Sequence, residues 1–320
     1  MANILISSGG RRVSLVKAFK KEYNMIDPKG KIYVSDIAPE LSAAAHIADK
    51  AFKICKVDDP DYIKLLLTIC INNNIKLIIP TIDTELSVLS DNRSFFQEKG
   101  IYILLCDKKI IDIAENKIIT QDFFSSYGIR VAKVYDKKNY KLPIYIKPIS
   151  GSGSKDNFVV FNENQLSKFY FEENSLHFFE YLDPNLYDEY TCDMYYNNQG
   201  KLKCIVPRKR IEVRGGEVAK AMTRKNFVKS YLEEKFSKIE GARGCITIQV
   251  FFNKDNNSVV GIEINPRFGG GYPLAYNAGG NYPKWIIEEY LFGKEIQYFE
   301  DWKDNLLMLR YDDEIIISNE

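Results

Sequence analysis

Gly261-Ile262-Glu263-Ile264-Asn265-Pro266-Arg267 is the stretch on which the reading of this chain turns. Residues two apart on a strand share a face, so Glu263 and Asn265 project together. A carboxylate and an amide oxygen are suitable hard ligands for magnesium held on nucleotide phosphates. Arg267 follows where the strand ends, within reach of developing charge on a transferred phosphoryl group. The preceding strand, Thr247-Ile248-Gln249-Val250, carries Gln249, and antiparallel pairing would set Gln249 beside Glu263. A polar sheet edge with solvated side chains is the plain alternative. Glu-x-Asn alone is common, whereas its combination with Gln249 and Pro-Arg is not.

Working outward, Tyr145-Ile146-Lys147-Pro148 precedes Ser150-Gly151-Ser152-Gly153-Ser154. A strand lysine beside a glycine loop makes a sensible phosphate clamp. It is not a Walker loop, because the lysine precedes the glycines and the GK[ST] ending is absent. Phe178-Phe179-Glu180-Tyr181-Leu182 leads into Asp188-Glu189-Tyr190-Thr191-Cys192-Asp193, where a strand end could hold adenine and carboxylates a ribose. The plain alternative is a strand, an acidic loop and another strand. The densest basic run is Pro207-Arg208-Lys209-Arg210-Ile211-Glu212-Val213-Arg214-Gly215-Gly216-Glu217. Charge runs are usually solvated faces, but these glycines suggest a tight turn presenting Arg214 to an anionic substrate or acyl phosphate.

The first third alternates strand and helix patterns: a strand at Asn3–Ser7, a helix at Val13–Lys21 and a strand at Lys31–Ser35. Asp61–Asn72 reads as a helix, Leu77–Pro80 as a strand, Thr84–Lys99 as a helix and Ile101–Leu105 as a strand. That order argues for a parallel sheet with helices on both faces. Gly9 and Gly10 fall at its first strand-to-helix turn, where a doubly wound sheet places a ligand crevice. One helical stretch, Ile110–Ser126, ends at Gly128, a good C-cap. Beyond it the pattern becomes α+β with mainly antiparallel strands, including a hairpin around Asn197-Asn198-Gln199-Gly200.

Bulk properties narrow the function classes. The formal net charge is +1, so no global field favours nucleic acid or an anionic membrane. No apolar run approaches a membrane span, and the amino terminus lacks a signal peptide's basic head and long apolar core. Six scattered cysteines lack metal spacing and read as free thiols in a reducing cytoplasm. Two histidines make histidine-rich zinc chemistry improbable.

The ordered set of motifs resembles the ATP-grasp superfamily, particularly carboxylate–amine ligases similar to the carbamoyl-phosphate synthase large subunit, over nearly the whole chain. The resemblance implies a mixed α/β and α+β fold: a Rossmann-like pre-ATP-grasp domain at 1–112, a small lobe with its linking helix at 113–183, and a large lobe with the C-terminal tail at 184–320. It assigns Lys117 and Lys147 to phosphate contacts, and Gly153 and Ser154 to the loop over the phosphates. Glu180 and Leu182 fall at the adenine hinge, and Glu189 at the ribose. Gln249, Glu263 and Asn265 surround one or two magnesium ions, with manganese as a substitute. Arg214 falls near a position where carbamoyl-phosphate synthetase carries a histidine, and Arg267 and Arg214 stabilise the transferring group. Gly9, Gly10, Arg11 and Asp83, together with Gly269 and Gly270 in the loop after Arg267, become substrate contacts.

The implied reaction forms an acyl phosphate and ADP from a small-molecule carboxylate and ATP, after which an amine displaces phosphate. A homodimer in the cytoplasm, with no nucleic-acid or membrane partner, completes the expectation. Two alternatives stay open: a kinase of carbamate or another small acid, and a non-catalytic nucleotide-binding protein on the same fold. A dehydrogenase is weaker, because Ser7-Ser8-Gly9-Gly10-Arg11-Arg12 does not spell the dinucleotide fingerprint.

Overall fold

A computed structural model describes residues 2–148 and 157–318. The N-terminal sheet contains β1 (Asn3–Ser7), β2 (Ile32–Asp36), β3 (Lys50–Lys53), β4 (Ile75–Ile79) and β5 (Tyr102–Ile103), in the order β3-β2-β1-β4-β5. Every pairing is parallel. All five residues of β1 are buried, because a central parallel strand is covered on both faces. Ile4 and Ile6 join one apolar cluster, and Leu5 joins another. The order reverses between β1 and β4, so the crevice beyond their carboxyl ends is this sheet's natural ligand position.

The small sheet is antiparallel and runs β7 (Val134–Tyr135), β10 (Leu176–Glu180), β8 (Ile144–Pro148), β9 (Phe158–Val160). Ile144, Ile146, Val160, Leu176 and Phe178 give it a core of its own. The large sheet holds β6 (Arg130–Val131), β11 (Tyr187–Tyr196), β12 (Leu202–Arg214), β13 (Glu217–Thr223), β14 (Gly244–Asn253), β15 (Ser258–Asn265) and β16 (Leu307–Leu309). Its order is β16-β13-β12-β11-β14-β15-β6, antiparallel except where β6 runs parallel to β15. Arg130–Val131 thus pairs with the large sheet, although it lies within the span expected for the small lobe.

One apolar cluster joins Ile4, Ile6 and Val34 of the N-terminal sheet to Tyr195, Val206, Phe268 and Tyr282 of the large lobe. The switch-point crevice is therefore held against the large sheet by a shared core.

Two helical expectations are corrected. Asn92 divides the span expected as one helix into Asp83–Asp91 and Arg93–Gln97. Asn116 divides the later one into Lys108–Glu115 and Lys117–Ser126. The Asn116 side chain accepts hydrogen bonds from the amides of Ile118 and Ile119 at 2.9 and 3.3 Å, capping the second helix. The cap makes Lys117 the first residue of that helix.

Candidate active site

The large sheet's register builds the floor of a cavity of about 450 Å³. Arg208 pairs with Thr191, Thr191 with Gln249, and Gln249 with Glu263. Directly opposed residues of antiparallel strands share a face, so these four form one row across β12, β11, β14 and β15. A second row, Asp193–Thr247–Asn265, lies beside it. Glu263 Oε1 accepts from Gln249 Nε2 at 2.6 Å and from Asn265 Nδ2 at 3.0 Å. The expected pairing of Gln249 with Glu263 is present in the register. Glu263 Oε2 and the amide oxygens of Gln249 and Asn265, which accept from Arg210 Nη1 at 2.9 Å and Arg267 Nη2 at 3.4 Å, have the hard-donor chemistry that suits a magnesium or manganese ion brought by a nucleotide.

Lys117 and Lys147 come from different elements, and both feel the charge of Glu263. Lys117 Nζ donates to the Pro148 carbonyl at 2.7 Å, and Lys147 Nζ lies 4.6 Å from the Phe179 ring centroid. Burial pushes the Lys147 ammonium down to about 8; Lys117 pushes the same way and Glu263 opposes. Burial also lowers Lys117, against the pull of Glu263. The two ammonium groups repel each other, and a bound polyanion would offset that repulsion. Gly153 and Ser154, expected over the phosphates, lie outside the described residues.

Arg267 bridges the lobes. Its Nε and Nη2 donate to the two carboxylate oxygens of Asp83 at 2.7 and 2.5 Å, a bidentate pair across the cavity wall. Gly269, Gly270 and Gly271 form the adjoining wall. Gly271 is required sterically: a Cβ there would stand 2.1 Å from Arg208 Nη1 and 2.6 Å from Val218 Cγ1.

Arg214 does not line the cavity; its side chain is 60% exposed and pairs with Asp312 at 3.0 Å. The tight turn expected from the glycines is present at Gly215 and Gly216, which have φ of 58° and 79°, but the basic run before it is strand β12 and the turn carries Arg214 away from the cavity. Strand alternation sends Arg208 and Arg210 to the cavity and Lys209 to Asp188, 2.8 Å away. Arg208 is 1% exposed and binds Asp193 through Nε at 2.6 Å and Nη2 at 3.1 Å. Its Nη1 is buried without a partner among the described residues. Arg210 Nη1 bridges Glu189 at 2.6 Å and Gln249 at 2.9 Å.

Glu189 therefore stands beside the row, its carboxyl raised by burial and by Glu263 against the pull of Arg210. Glu180 ends β10 and is tied to Arg130 and to the Lys133 amide, with Leu182 half-buried just beyond it. Arg208, Arg210 and Asp193 were not singled out from the sequence. The period-two spacing of Arg208, Arg210 and Arg214 was the signal available, and it needed the position of the turn to be useful.

A second cavity, of about 180 Å³, lies at the β1–β4 switch point. Ser8 to Arg12 and Ser14 line it from one side, and Phe268 to Gly270, Tyr272, Pro273, Glu217 and Arg310 from the other. Gly9 is buried so close to Val34 that a Cβ would stand 2.5 Å from Val34 Cγ1, and Gly10 has φ of +48°. Arg12, Glu217, Gly269 and Gly270 line both cavities.

Residues 4–104 match the family model of the PylC-like N-terminal domain, and residues 173–313 match that of the ATP-grasp domain in the biosynthetic pathway with Ter operon. The biotin carboxylase domain of 2-oxoglutarate carboxylase from Hydrogenobacter thermophilus, solved with MgADP, ADP and bicarbonate, is 14% identical with a TM-score of 0.73, covering 95% of this chain and 73% of that one. Biotin carboxylase from Campylobacter jejuni is 16% identical with a TM-score of 0.73, covering 95% and 74%. N5-carboxyaminoimidazole synthetase from Staphylococcus aureus, in complex with ADP, is 17% identical with a TM-score of 0.70, covering 96% and 80%. No curated protein matches the chain. The chain carries an ATP-grasp fold behind a PylC-like N-terminal domain.

Proposed function

We propose that this ATP-grasp chain is an ADP-forming carboxylate–amine ligase. The observation that carries the reading is the convergence of Lys117, the Gln249–Glu263–Asn265 cluster, Arg267 and a glycine loop on one cavity, with Lys147 coupled electrostatically to Lys117 and Glu263. Phosphoryl transfer depends mainly on positioning and charge neutralisation, and this cavity offers cations and oxygen ligands with no histidine among its lining residues.

In the reaction, a carboxylate oxygen of the first substrate attacks the γ-phosphorus of ATP, and the bond to the ADP oxygen breaks. Lys117 and Lys147 hold the phosphates. Arg267, fixed by Asp83, meets the charge that develops on the transferred group. Magnesium carried by the nucleotide would be held by Glu263, Asn265 and Gln249 and would neutralise phosphate charge there. An amine then attacks the acyl carbon, and phosphate leaves. Glu180 and Leu182 are proposed at the adenine and Glu189 at the ribose. Residence in a reducing cytoplasm is supported by six free cysteines, five of them buried. Among the described residues no helix is long and apolar enough to cross a membrane. Assembly as a homodimer is part of the proposal; the Hydrogenobacter relative is described as a domain dimer.

The test is ADP release and product mass over a panel of carboxylates and amines, with Glu263→Gln as the probe. Gln keeps the hydrogen-bonding shape and removes the charge, so turnover should fall at least about 100-fold while the circular dichroism spectrum and Tm hold. Near-normal turnover in that variant would sink the assignment. Carbamoyl phosphate formed from bicarbonate and ammonia with ATP would replace it by the kinase reading.

A further inference from the structure

Glu85 is a fully buried acid that lines neither cavity. It is the third residue of the helix Asp83–Asp91, which follows β4 across residues 80–82. Ile82 stands at the N-cap of that helix and has no polar side chain to satisfy the free amides there. Glu85 Oε1 supplies the acceptor instead: the Thr81 amide donates to it at 2.7 Å and the Ile82 amide at 3.2 Å. Reaching back from this position is the acidic half of a capping box. The other oxygen is used as well, because the Tyr62 and Ser8 hydroxyls each donate to Oε2 at 3.1 Å. The Thr81 hydroxyl in turn donates to the carbonyls of Ser7 and Ser8 at 3.0 and 2.7 Å. One side chain thereby joins the turn after β1, the helix Tyr62–Asn72 and the loop before Asp83.

A helix start alone does not call for this arrangement. Ser, Thr or Asp at position 82 would cap the helix without burying an acid. Burial raises the Glu85 pKa, and the Thr81 and Ile82 amides with the Ser7 and Ser8 hydroxyls work the other way. What the buried acid adds is a fixed backbone at residues 81–83. Asp83 is the first residue of the helix, and its two oxygens hold Arg267 through Nε and Nη2. The Asp83 side chain is 40% exposed, so packing does little to hold it, and its direction follows from the backbone that carries it. The other partners of the Arg267 guanidinium, the Phe268 carbonyl at 3.3 Å and Asn265 Oδ1 at 3.4 Å, are longer and weaker. Where the fork of Arg267 points is therefore set by where residues 81–83 stand.

We propose that Glu85 is a positioning residue for phosphoryl transfer, fixing residues 81–83 so that Asp83 presents the Arg267 guanidinium to the transferred group. The proposal rests on the ligase reading and deepens it. Glu85 touches no reacting atom. It acts through two backbone amides, then the Asp83 carboxylate, then Arg267. Lys117 and Lys147 belong to other elements, so nucleotide affinity does not depend on Glu85, whereas the rate of transfer does. Through Ser8 and Thr81 the end of β1 is tied to the same anchor. The N-terminal sheet thus gives the reaction a fixed point rather than a reactive group.

Two measurements on the full chain test this. Glu85→Met keeps the volume and removes both acceptor oxygens; Glu85→Asp, one methylene too short to reach the loop amides, replaces it should Met not fold. ADP release should fall about 10- to 100-fold in kcat, the scale of a displaced catalytic group. Affinity for a non-hydrolysable ATP analogue should stay within about twofold. In an Asp83→Asn background the same substitution should cost less than about threefold, because the two act in one chain. Glu85→Gln keeps an oxygen for the amides and an amino group for the two hydroxyls, and should hold kcat within about threefold of the wild type. Leu89→Ala, buried on the same helix, loosens the core without touching the network and should leave kcat unchanged. A loss in Leu89→Ala equal to that in Glu85→Met, full additivity with Asp83→Asn, or a Gln variant as slow as Met overturns the proposal. The second measurement needs no turnover. The Arg267 Nε–H signal, assigned by its loss in Arg267→Met, should exchange with solvent at least about 10-fold faster in Glu85→Met; unchanged exchange overturns the proposal. Absence of ADP release by the wild type with every acid counts against the ligase reading, and the exchange result then decides the positioning of Arg267 alone.

Discussion

Lys147 gives the sharpest quantitative handle on the nucleotide site. Its ammonium lies over the Phe179 ring and is pushed down to about 8, by burial first and then by the charge of Lys117, with Glu263 opposing. An ordinary lysine titrates near 10.4, so this one changes charge within an accessible range. The phosphates of ATP favour the protonated form, so binding is strongest below the free-protein pKa and weakens as pH rises through it. With a pKa of about 8, roughly nine-tenths of the free protein carries the charge at pH 7 and roughly one-tenth at pH 9. If only the charged form binds productively, affinity falls about tenfold over that interval, or about 1.4 kcal/mol.

The assay is isothermal titration with a non-hydrolysable ATP analogue and excess magnesium, from pH 7 to 9.5 in buffers of matched ionic strength. Lys147→Arg keeps the charge throughout and should flatten the decline between pH 7 and 9. Lys117→Met removes the repulsive neighbour, so the decline should move to higher pH even though one phosphate contact is lost. A wild-type affinity that changes less than twofold between pH 7 and 9 would refute the reasoning. So would a Lys147→Arg profile as steep as the wild type.

Gly271→Ala should cost at least about 100-fold in turnover and about 1–3 kcal/mol in stability, because the new methyl must displace the Arg208 guanidinium or Val218; a crystal structure with an unmoved Arg208 and full activity would contradict this. Asp193→Asn strands a buried guanidinium whose other contacts are few, and should lower stability by about 3–5 kcal/mol in urea or thermal unfolding, with part recovered by adding Arg208→Met.

The sequence was most legible where local spacing maps onto geometry. Alternation along β15 put Glu263 and Asn265 on one face, and the short connection to β14 set Gln249 opposite Glu263. Strand–helix alternation sufficed for the parallel sheet, because crossovers of that length favour no other arrangement. The helix broken at Asn116 was not legible: an apolar period continues across it, and only the side-chain cap on Ile118 and Ile119 shows the restart. The basic run misled for a related reason. Its glycines mark the turn at Gly215 and Gly216 correctly, but the arginine beside a turn is Arg214, whereas alternation along the strand before it brings Arg208 and Arg210 to the cavity. Asp193 was passed over because a lone acid inside an apolar strand carries no signal until its partner, on the neighbouring strand, is known.

The two halves of the site are therefore encoded differently. The phosphate side is written across neighbouring strands, so two or three short motifs were enough to recover it. The smaller cavity gathers Arg12 from the first turn, Glu217 from the start of β13, Gly269 and Gly270 from the loop after β15, and Arg310 from the last segment. No periodicity links these positions; only the core shared by the N-terminal sheet and the large lobe brings them together. The Asp83–Arg267 pair stands where the two encodings meet, one residue expected at the substrate and the other at the transferred phosphoryl group. That separation is a physical reason why the reaction type was readable from one sequence and the second substrate was not.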